Sequence, residues 1–395
     1  MAVLGPSKQG HQTGGGARIA LLAACLFVTT AVCVLGYMRR SPPSGVVKQL
    51  LFRPALHRET CPPCKYAAST SSAANITMTT TRGFGRTGNY FISMRNAMQR
   101  AHACKTTLVL PSEDEEGHVL LPHQTTRLLD FAARVGEPHP DCGDPAIGVG
   151  LSGGSRAFWE LRALQNTTPE HATFFRSYRP ELGALGTCLR WYAGACNATY
   201  CAGLEHLKDA LVAHIRQGDV YPSNHSYAFS YYGQPPLAYY LAALNFSAWS
   251  EMIVVAEPTT TNISPMWAGL RLLNKTGALK TPVTFQSSSG WAQDFRTLVC
   301  ARNVVESKST FNEVLRAVGR ATQIFSWQCL FSAFAEQRSS YGLYEIRVPA
   351  DYKPFQHHDN SPRQWVDALL QNTSTPQLCD ASTSKNATFL MEVHV

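Results

Sequence analysis

Between Ala210 and Ser326, short apolar runs and amphipathic segments take turns five times, and this rhythm narrows the possible folds more than any other feature of the chain. The runs Ala210–Ile215, Glu251–Ala256, Val283–Phe285, Val304–Glu306 and Gln323–Ser326 have the length and continuous apolarity of strands buried on both faces. Between them lie segments with helical spacing at Leu237–Leu244, Met266–Leu273, Trp291–Ala301 and Phe311–Gly319. The first of these helices follows Pro235-Pro236, a start signal. Strand alternating with helix predicts an α/β lobe with a parallel sheet and right-handed crossovers.

Upstream, Arg82-Gly83-Phe84-Gly85-Arg86-Thr87-Gly88-Asn89 precedes a helical segment from about Tyr90 to His102 and a strand at Thr107–Leu110. A glycine-rich loop opening a helix turns backbone N–H groups and the positive end of the helix dipole toward whatever lies in front of it. Residues 112–206 show no regular rhythm, and the acidic run Glu113-Asp114-Glu115-Glu116 reads as a solvated loop. The roughly 315 residues of the body exceed what one small core needs, so we expect two lobes, 79–206 and 207–395.

The first 78 residues set the expected compartment. Ile19–Met38 is apolar and uncharged between Arg18 and Arg39-Arg40, long enough to cross a bilayer. The expected order is therefore a cytosolic tail at 1–18, a transmembrane signal anchor at 19–38, and a Pro/Ser/Thr-rich stem at 39–78. A cleaved signal peptide is the alternative, although Val32-Cys33-Val34-Leu35-Gly36 has no clean small-x-small site. Flanking charge does not orient the segment. The sequons do: Asn75, Asn166, Asn197, Asn224, Asn245, Asn262, Asn274, Asn372 and Asn386 all begin Asn-x-Ser/Thr, nine of fourteen asparagines. Chance would give about two, so the set argues for a lumenal, glycosylated body on a single-pass type II anchor in the Golgi or ER membrane.

Ten cysteines follow the apolar segment, an even number that suits disulfides in an oxidising compartment. Cys188, Cys196 and Cys201 lie close together and are expected to staple a local loop. Cys61-Pro62-Pro63-Cys64 has redox or zinc spacing but neither a preceding strand nor a second pair, so no metal site is expected there. The net charge of +8 is spread along the chain, which suits an anionic small ligand and, behind a membrane anchor, excludes nucleic acid as a partner.

His214-Ile215-Arg216-Gln217-Gly218-Asp219 closes the first strand of the second lobe. Ligands of open parallel sheets collect at the carboxyl ends of the strands. There the guanidinium of Arg216 can hold a phosphate with two parallel bonds, and Gly218 allows close backbone approach. The plain alternative is a strand end whose Arg216 and Asp219 form a surface ion pair. Asp219 bracing its own loop is a more natural role than catalysis.

Together, Gly85-Arg86-Thr87-Gly88-Asn89 and the His214–Asp219 segment resemble the GDP-fucose-dependent fucosyltransferases of the GT-B type, a superfamily that includes α1,2-, α1,6- and protein O-fucosyltransferases. A third, weaker element is Asp294 followed by Ser307-Lys308-Ser309-Thr310-Phe311. The resemblance covers about residues 80–330. It implies two Rossmann-like lobes facing a cleft, with residues 79–206 on the acceptor side and 207–395 binding the nucleotide sugar. It further implies that Arg216 neutralises the β-phosphate, that His214 contacts the nucleotide or orients that arginine, and that Ser309 and Thr310 bind phosphate or ribose. Asp294 would meet the guanine edge, and Arg86 and Asn89 would line the cleft from the opposite lobe. Asp294 as a helix-surface charge and Ser309 as an N-cap are the structural alternatives.

Transfer would then proceed without cofactor or metal, fixed donors stabilising the departing GDP and the acceptor, a glycan or glycoprotein, attacking with inversion. No Asp-x-Asp follows a strand. No Asp or Glu in the loop after Asp219 offers a general base; His225 is the candidate there, and a glycan on neighbouring Asn224 would crowd it. The chain departs from the family where Tyr90 replaces the usual Gln and where Gln217 follows Arg216 in place of a second basic residue. Another GT-B transferase with a different nucleotide sugar, or a catalytically silent lectin-like membrane glycoprotein, are the competing readings.

Overall fold

The computed structural model describes residues 75–77, 101–102, 107–110, 127–130, 190, 198–217, 234–256, 264–286, 291–309, 311–329, 341–352 and 368–380. Its main feature is a seven-stranded sheet built from β4 (Leu211–Ile215), β5 (Met252–Ala256), β6 (Val283–Gln286), β7 (Asn303–Val305), β8 (Gln323–Ser326), β9 (Gly342–Glu345) and β10 (Gln377–Leu378). The spatial order is β6-β5-β4-β7-β8-β9-β10. All neighbours are parallel except β9 and β10, which run antiparallel. Counted from β4, the six parallel strands stand in the order 3-2-1-4-5-6, which is the doubly wound dinucleotide-binding arrangement.

The strands are apolar for their whole length because both faces are covered. Every residue of β5 is buried, and β4 is buried but for His214. Helices α1 (Leu237–Leu244), α2 (Pro265–Lys275), α3 (Trp291–Cys300) and α4 (Phe311–Val318) connect them. In α2 the buried residues Met266, Trp267, Leu270 and Leu273 fall on one stripe, and Pro265 occupies the first turn, where its missing N–H costs nothing. The helix ends when Gly277 takes φ 67°. Its N–H donates to Asn274 O (3.1 Å) and the N–H of Ala278 to Leu273 O (3.0 Å), the paired bonds of a Schellman stop. Helix α1 lies close to α2 at Gly269, where a β-carbon would stand 2.9 Å from Leu237 Cδ2.

The core gathers where helices meet the sheet. Tyr239, Phe295, Phe325 and Tyr341 are fully buried. The hydroxyl of Tyr239 lies 2.9 Å from Glu306 O and 3.0 Å from Phe325 O, so α1 ties together the ends of β7 and β8. Phe325 stacks on Tyr344, and Phe246 packs edge-on to Phe325.

Each helix and strand expected between Ala210 and Ser326 is present, with no boundary shifted by more than two residues. The sixth parallel strand, β9, was not anticipated, nor was β10. Near the amino end, β1 (Asn75–Thr77), β2 (Thr107–Leu110) and β3 (Arg127–Asp130) form a separate sheet, β1 parallel and β3 antiparallel to β2. The last residues of the expected stem thus form β1, and β3 lies in the stretch read as irregular. Of the expected helix at Tyr90–His102, Ala101 and His102 are described and are helical.

The disulfides correct one expectation. Cys201 is not joined to Cys188 or Cys196 but to Cys300, 99 residues away, at the end of α3. Cys201 closes a short 3-10 turn (Ala198–Cys201) that rests against α3, so proximity in space overrides proximity in sequence. A second bridge, Cys329–Cys379, links the segment after β8 to the end of β10. Among the described residues no helix is long and apolar enough to cross a membrane; the expected anchor at 19–38 lies outside them.

Candidate functional site

Strands β4 and β7 are neighbours, yet the chain leaves β4 toward β5 and leaves β7 toward β8. At such a switch point the two following loops diverge and open a crevice at the carboxyl edge of the sheet. His214 and Arg216 leave β4 two residues apart, hence on the same face, and both are half-buried. From β7 come Glu306, Ser307, Lys308 and Ser309, the approach to α4.

The two sides meet. His214 Nδ1 lies 2.9 Å from Ser307 Oγ, and Arg216 Nη1 donates to Ser309 Oγ at 3.3 Å. Ser309 Oγ also accepts the N–H of Phe311 (3.2 Å), which opens α4. Ser309 is therefore both a cap on the first N–H of α4 and a partner of the arginine, which bears out its capping role. The ring of Phe311 stands edge-on to His214 with centroids 5.3 Å apart and contacts Phe295 in turn, fixing the imidazole by packing. A half-buried guanidinium, a hydroxyl and the amino end of a helix converge here, the donor set that holds phosphate.

A buried frame supports these groups. Glu306 and Arg316 form an ion pair with almost no exposure: Arg316 Nε donates to Glu306 Oε1 at 2.8 Å, and its Nη2 reaches both Glu306 Oε2 and Ser326 Oγ. Asn312 Nδ2 donates to Ser307 O. Gln234 Nε2 donates to Lys308 O (3.1 Å), while Tyr352 Oη donates to Gln234 O (3.1 Å). The loop 306–309 is thus held from α4, from the segment before α1 and from Tyr352. Gln217, next to Arg216, is buried and turned away, accepting the N–H of Ser264 at the start of α2 (3.2 Å).

Lys308 behaves differently from its neighbours. Its Nζ sits 4.9 Å from the ring centroid of Trp327, just past β8, and burial pushes its ammonium below the ordinary lysine range.

Asp294 lies apart from this group. It is in the first turn of α3, and its Oδ1 accepts Gln286 Nε2 at 2.7 Å at the carboxyl end of β6. β6 is two strands from β4, so roughly 10 Å separates the two positions along the same edge. No protein-family model, curated protein or solved structure matches this chain.

Of the expected site residues, His214, Arg216 and Ser309 come together, and Asp294 stands further along the same edge. Gly85, Arg86, Gly88, Asn89, Gly218, Asp219, Thr310 and His225 lie outside the described residues. So do the sequon asparagines Asn166, Asn197, Asn224, Asn262 and Asn386. Asn75 is in β1, whereas Asn245, Asn274 and Asn372 are exposed. Asn274 is tied down nonetheless, its Nδ2 donating to Val283 O (2.9 Å) and its Oδ1 accepting Val283 N (3.3 Å). Among the described residues no group of three or more His, Cys, Asp or Glu gathers as metal ligands would.

Sequence reasoning missed Glu306 and Arg316, and it gave no role to Ser307 or Lys308 although both stood in the third motif. Ser307 carried a usable signal: Ser307 and Ser309 repeat the two-residue spacing of His214 and Arg216, as facing pairs on adjacent parallel strands should. For Arg316 no signal existed, because a charged residue on an amphipathic helix reads as solvated.

Proposed function

We propose that the chain is a glycosyltransferase that moves a sugar from a nucleoside diphosphate donor to a glycan or glycoprotein acceptor, with GDP-fucose as the donor that the sequence resemblance implies. The observation that carries this reading is the contact of Arg216 with Ser309 at the switch point of a 3-2-1-4-5-6 sheet. In that setting a permanently charged guanidinium, a hydroxyl and a helix amino end address a diphosphate lying across the crevice.

Breaking the anomeric C–O bond places a growing negative charge on the diphosphate oxygen. Arg216 lowers the barrier by being already in position when that charge develops. His214, held by Ser307 and Phe311, would contact the nucleotide or orient the arginine, as the resemblance implies. Asp294 sits where a base would lie if the diphosphate occupied the β4–β7 crevice, since base and phosphate are then separated by the width of two strands. The GT-B arrangement, with residues 79–206 closing the acceptor side through Arg86 and Asn89, belongs to the same proposal. So does residence behind a type II anchor in the Golgi or ER, which the sequons favour and the Cys201–Cys300 and Cys329–Cys379 bridges suit.

A donor screen tests the reading: GDP-fucose, GDP-mannose and UDP-galactose offered to the full chain, with and without a chelator. Transfer or slow donor hydrolysis with GDP-fucose, unchanged by the chelator and lost in Arg216→Ala while the fold persists, is the expected result. Turnover of another donor reassigns the sugar. Undiminished activity in Arg216→Ala would sink the assignment.

A further inference from the structure

β6 is the terminal strand of the seven-stranded sheet, so among the described residues one of its edges has no strand beside it. Pro282 O accepts the N–H of Met252 (2.8 Å), which turns the carbonyl just before β6 toward β5. In an extended chain the next residue faces the other way, so the N–H and C=O of Val283 point to the open edge. Asn274, near the end of α2, fills that place. Its Nδ2 donates to Val283 O (2.9 Å), and its Oδ1 accepts the N–H of Val283 (3.3 Å). This is the reciprocal pair that one residue of an antiparallel neighbour would make. Val283 offers one donor and one acceptor, which fixes the O and N ends of the carboxamide.

Asn274 also begins the sequon Asn274-Lys275-Thr276. N-glycosylation replaces one hydrogen of Nδ2 with the anomeric carbon of a sugar and makes a secondary amide. A secondary amide is trans, which puts the sugar on the Oδ1 side of the C–N bond. The bond to Val283 O uses the hydrogen on that same side, because Oδ1 and Nδ2 both face Val283. Glycan and strand edge therefore compete for one hydrogen. The hydroxyl of the sequon is engaged as well, Thr276 Oγ1 lying 3.0 Å from Leu272 O and 3.1 Å from Leu273 O. Asn245 and Asn372 differ: both are exposed, and no hydrogen bond holds either carboxamide.

We propose that the sequon at Asn274 stays empty in the folded protein, its carboxamide serving as the edge partner of β6, while Asn245 and Asn372 carry glycans. At those two, the lumenal transferase forms the bond from Nδ2 to the sugar and breaks the anomeric C–O bond of a lipid diphosphate-linked oligosaccharide. The lipid diphosphate leaves with the proton that Nδ2 gives up. A chain modified at Asn274 before folding loses the pairing, and the N–H and C=O of Val283 are then open to another molecule. The inference rests only on the lumenal placement in the reading above, and neither on the donor nor on the reaction.

The test is site mapping on the full chain, produced in a mammalian secretory cell, extracted in detergent and size-selected as the folded fraction. Its peptides are treated with peptide N-glycosidase in heavy-oxygen water, which marks each formerly occupied asparagine. We expect the mark at Asn245 and Asn372 and none at Asn274. On a denaturing gel, Thr276→Ala should leave the mobility unchanged, whereas Asn245→Gln and Asn372→Gln should each raise it by one glycan. Asn274→Ala should melt at a lower temperature than the wild type when both are deglycosylated; if that variant does not fold, the map on the wild type decides. A mark at Asn274 in the folded fraction overturns the inference and leaves the nucleotide-sugar reading standing. So does an unmarked Asn245 or Asn372 in a protein glycosylated elsewhere, or an Asn274→Ala variant as stable as the wild type. If no sequon is marked, the lumenal placement falls and the inference falls with it.

Discussion

At Glu306 a carboxylate with no solvent exposure is paired with the buried guanidinium of Arg316. Removing one member of a buried pair strands the other, which costs about 3–5 kcal/mol, whereas replacing both with apolar residues of similar volume is close to neutral. Glu306→Leu should therefore lower unfolding stability in urea by that amount, and adding Arg316→Met should recover most of it. If the single variant is as stable as the wild type, the pair is not the frame that holds Ser307 and Ser309. Arg216 belongs to the other category. It is half-buried, with Nη1 on Ser309 Oγ at the edge of the crevice, and Arg216→Ala should remove the transfer activity proposed above while a folded protein is still recovered.

Among the elements, α2 has the best-defined ending. Gly277 holds φ 67° with nothing within 4 Å of where a β-carbon would be, so its role is purely one of backbone conformation. Gly277→Ala should reduce stability by about 1 kcal/mol, and Gly277→Asn by less, because asparagine tolerates the left-handed region. Chemical denaturation resolves the difference; equal stability of all three would remove the Schellman stop from the account. The legibility of the elements varied with how local their causes were. Leu237–Leu244 was readable to the residue because Pro235-Pro236 marks its start and its apolar face continues to Leu244. β9 was not readable, since Gly342-Leu343-Tyr344-Glu345 carries too few apolar residues and becomes a strand by pairing with β8. β10 is two residues long and exposed, held by Cys379 and by its pairing to β9, neither of which leaves a local trace.

At the scale of the whole molecule, the two disulfides among the described residues close long loops. The Cys201–Cys300 bridge spans 99 residues and binds the chain before β4 to the end of α3. Constraining an unfolded chain over such a span contributes about 3–5 kcal/mol, less whatever structure the unfolded state retains. Replacing both cysteines with serine should lower the denaturation midpoint and steepen the slope, because the unlinked chain unfolds to a more expanded state. A loss of less than about 1 kcal/mol would mean that the link adds little constraint to the unfolded chain.

The sequence by itself determined the α/β class of the stretch from Ala210 to Ser326 and the order of its strands and helices, because strand periodicity and helix signals are written in neighbouring residues. Only the tertiary structure decided the 3-2-1-4-5-6 order, the meeting of Arg216 with Ser309 across 93 positions, the partner of Cys201 and the burial of Glu306 with Arg316. Those features depend on which strands pair and which faces close on one another, and contacts between residues far apart in the chain leave no periodic mark on either partner.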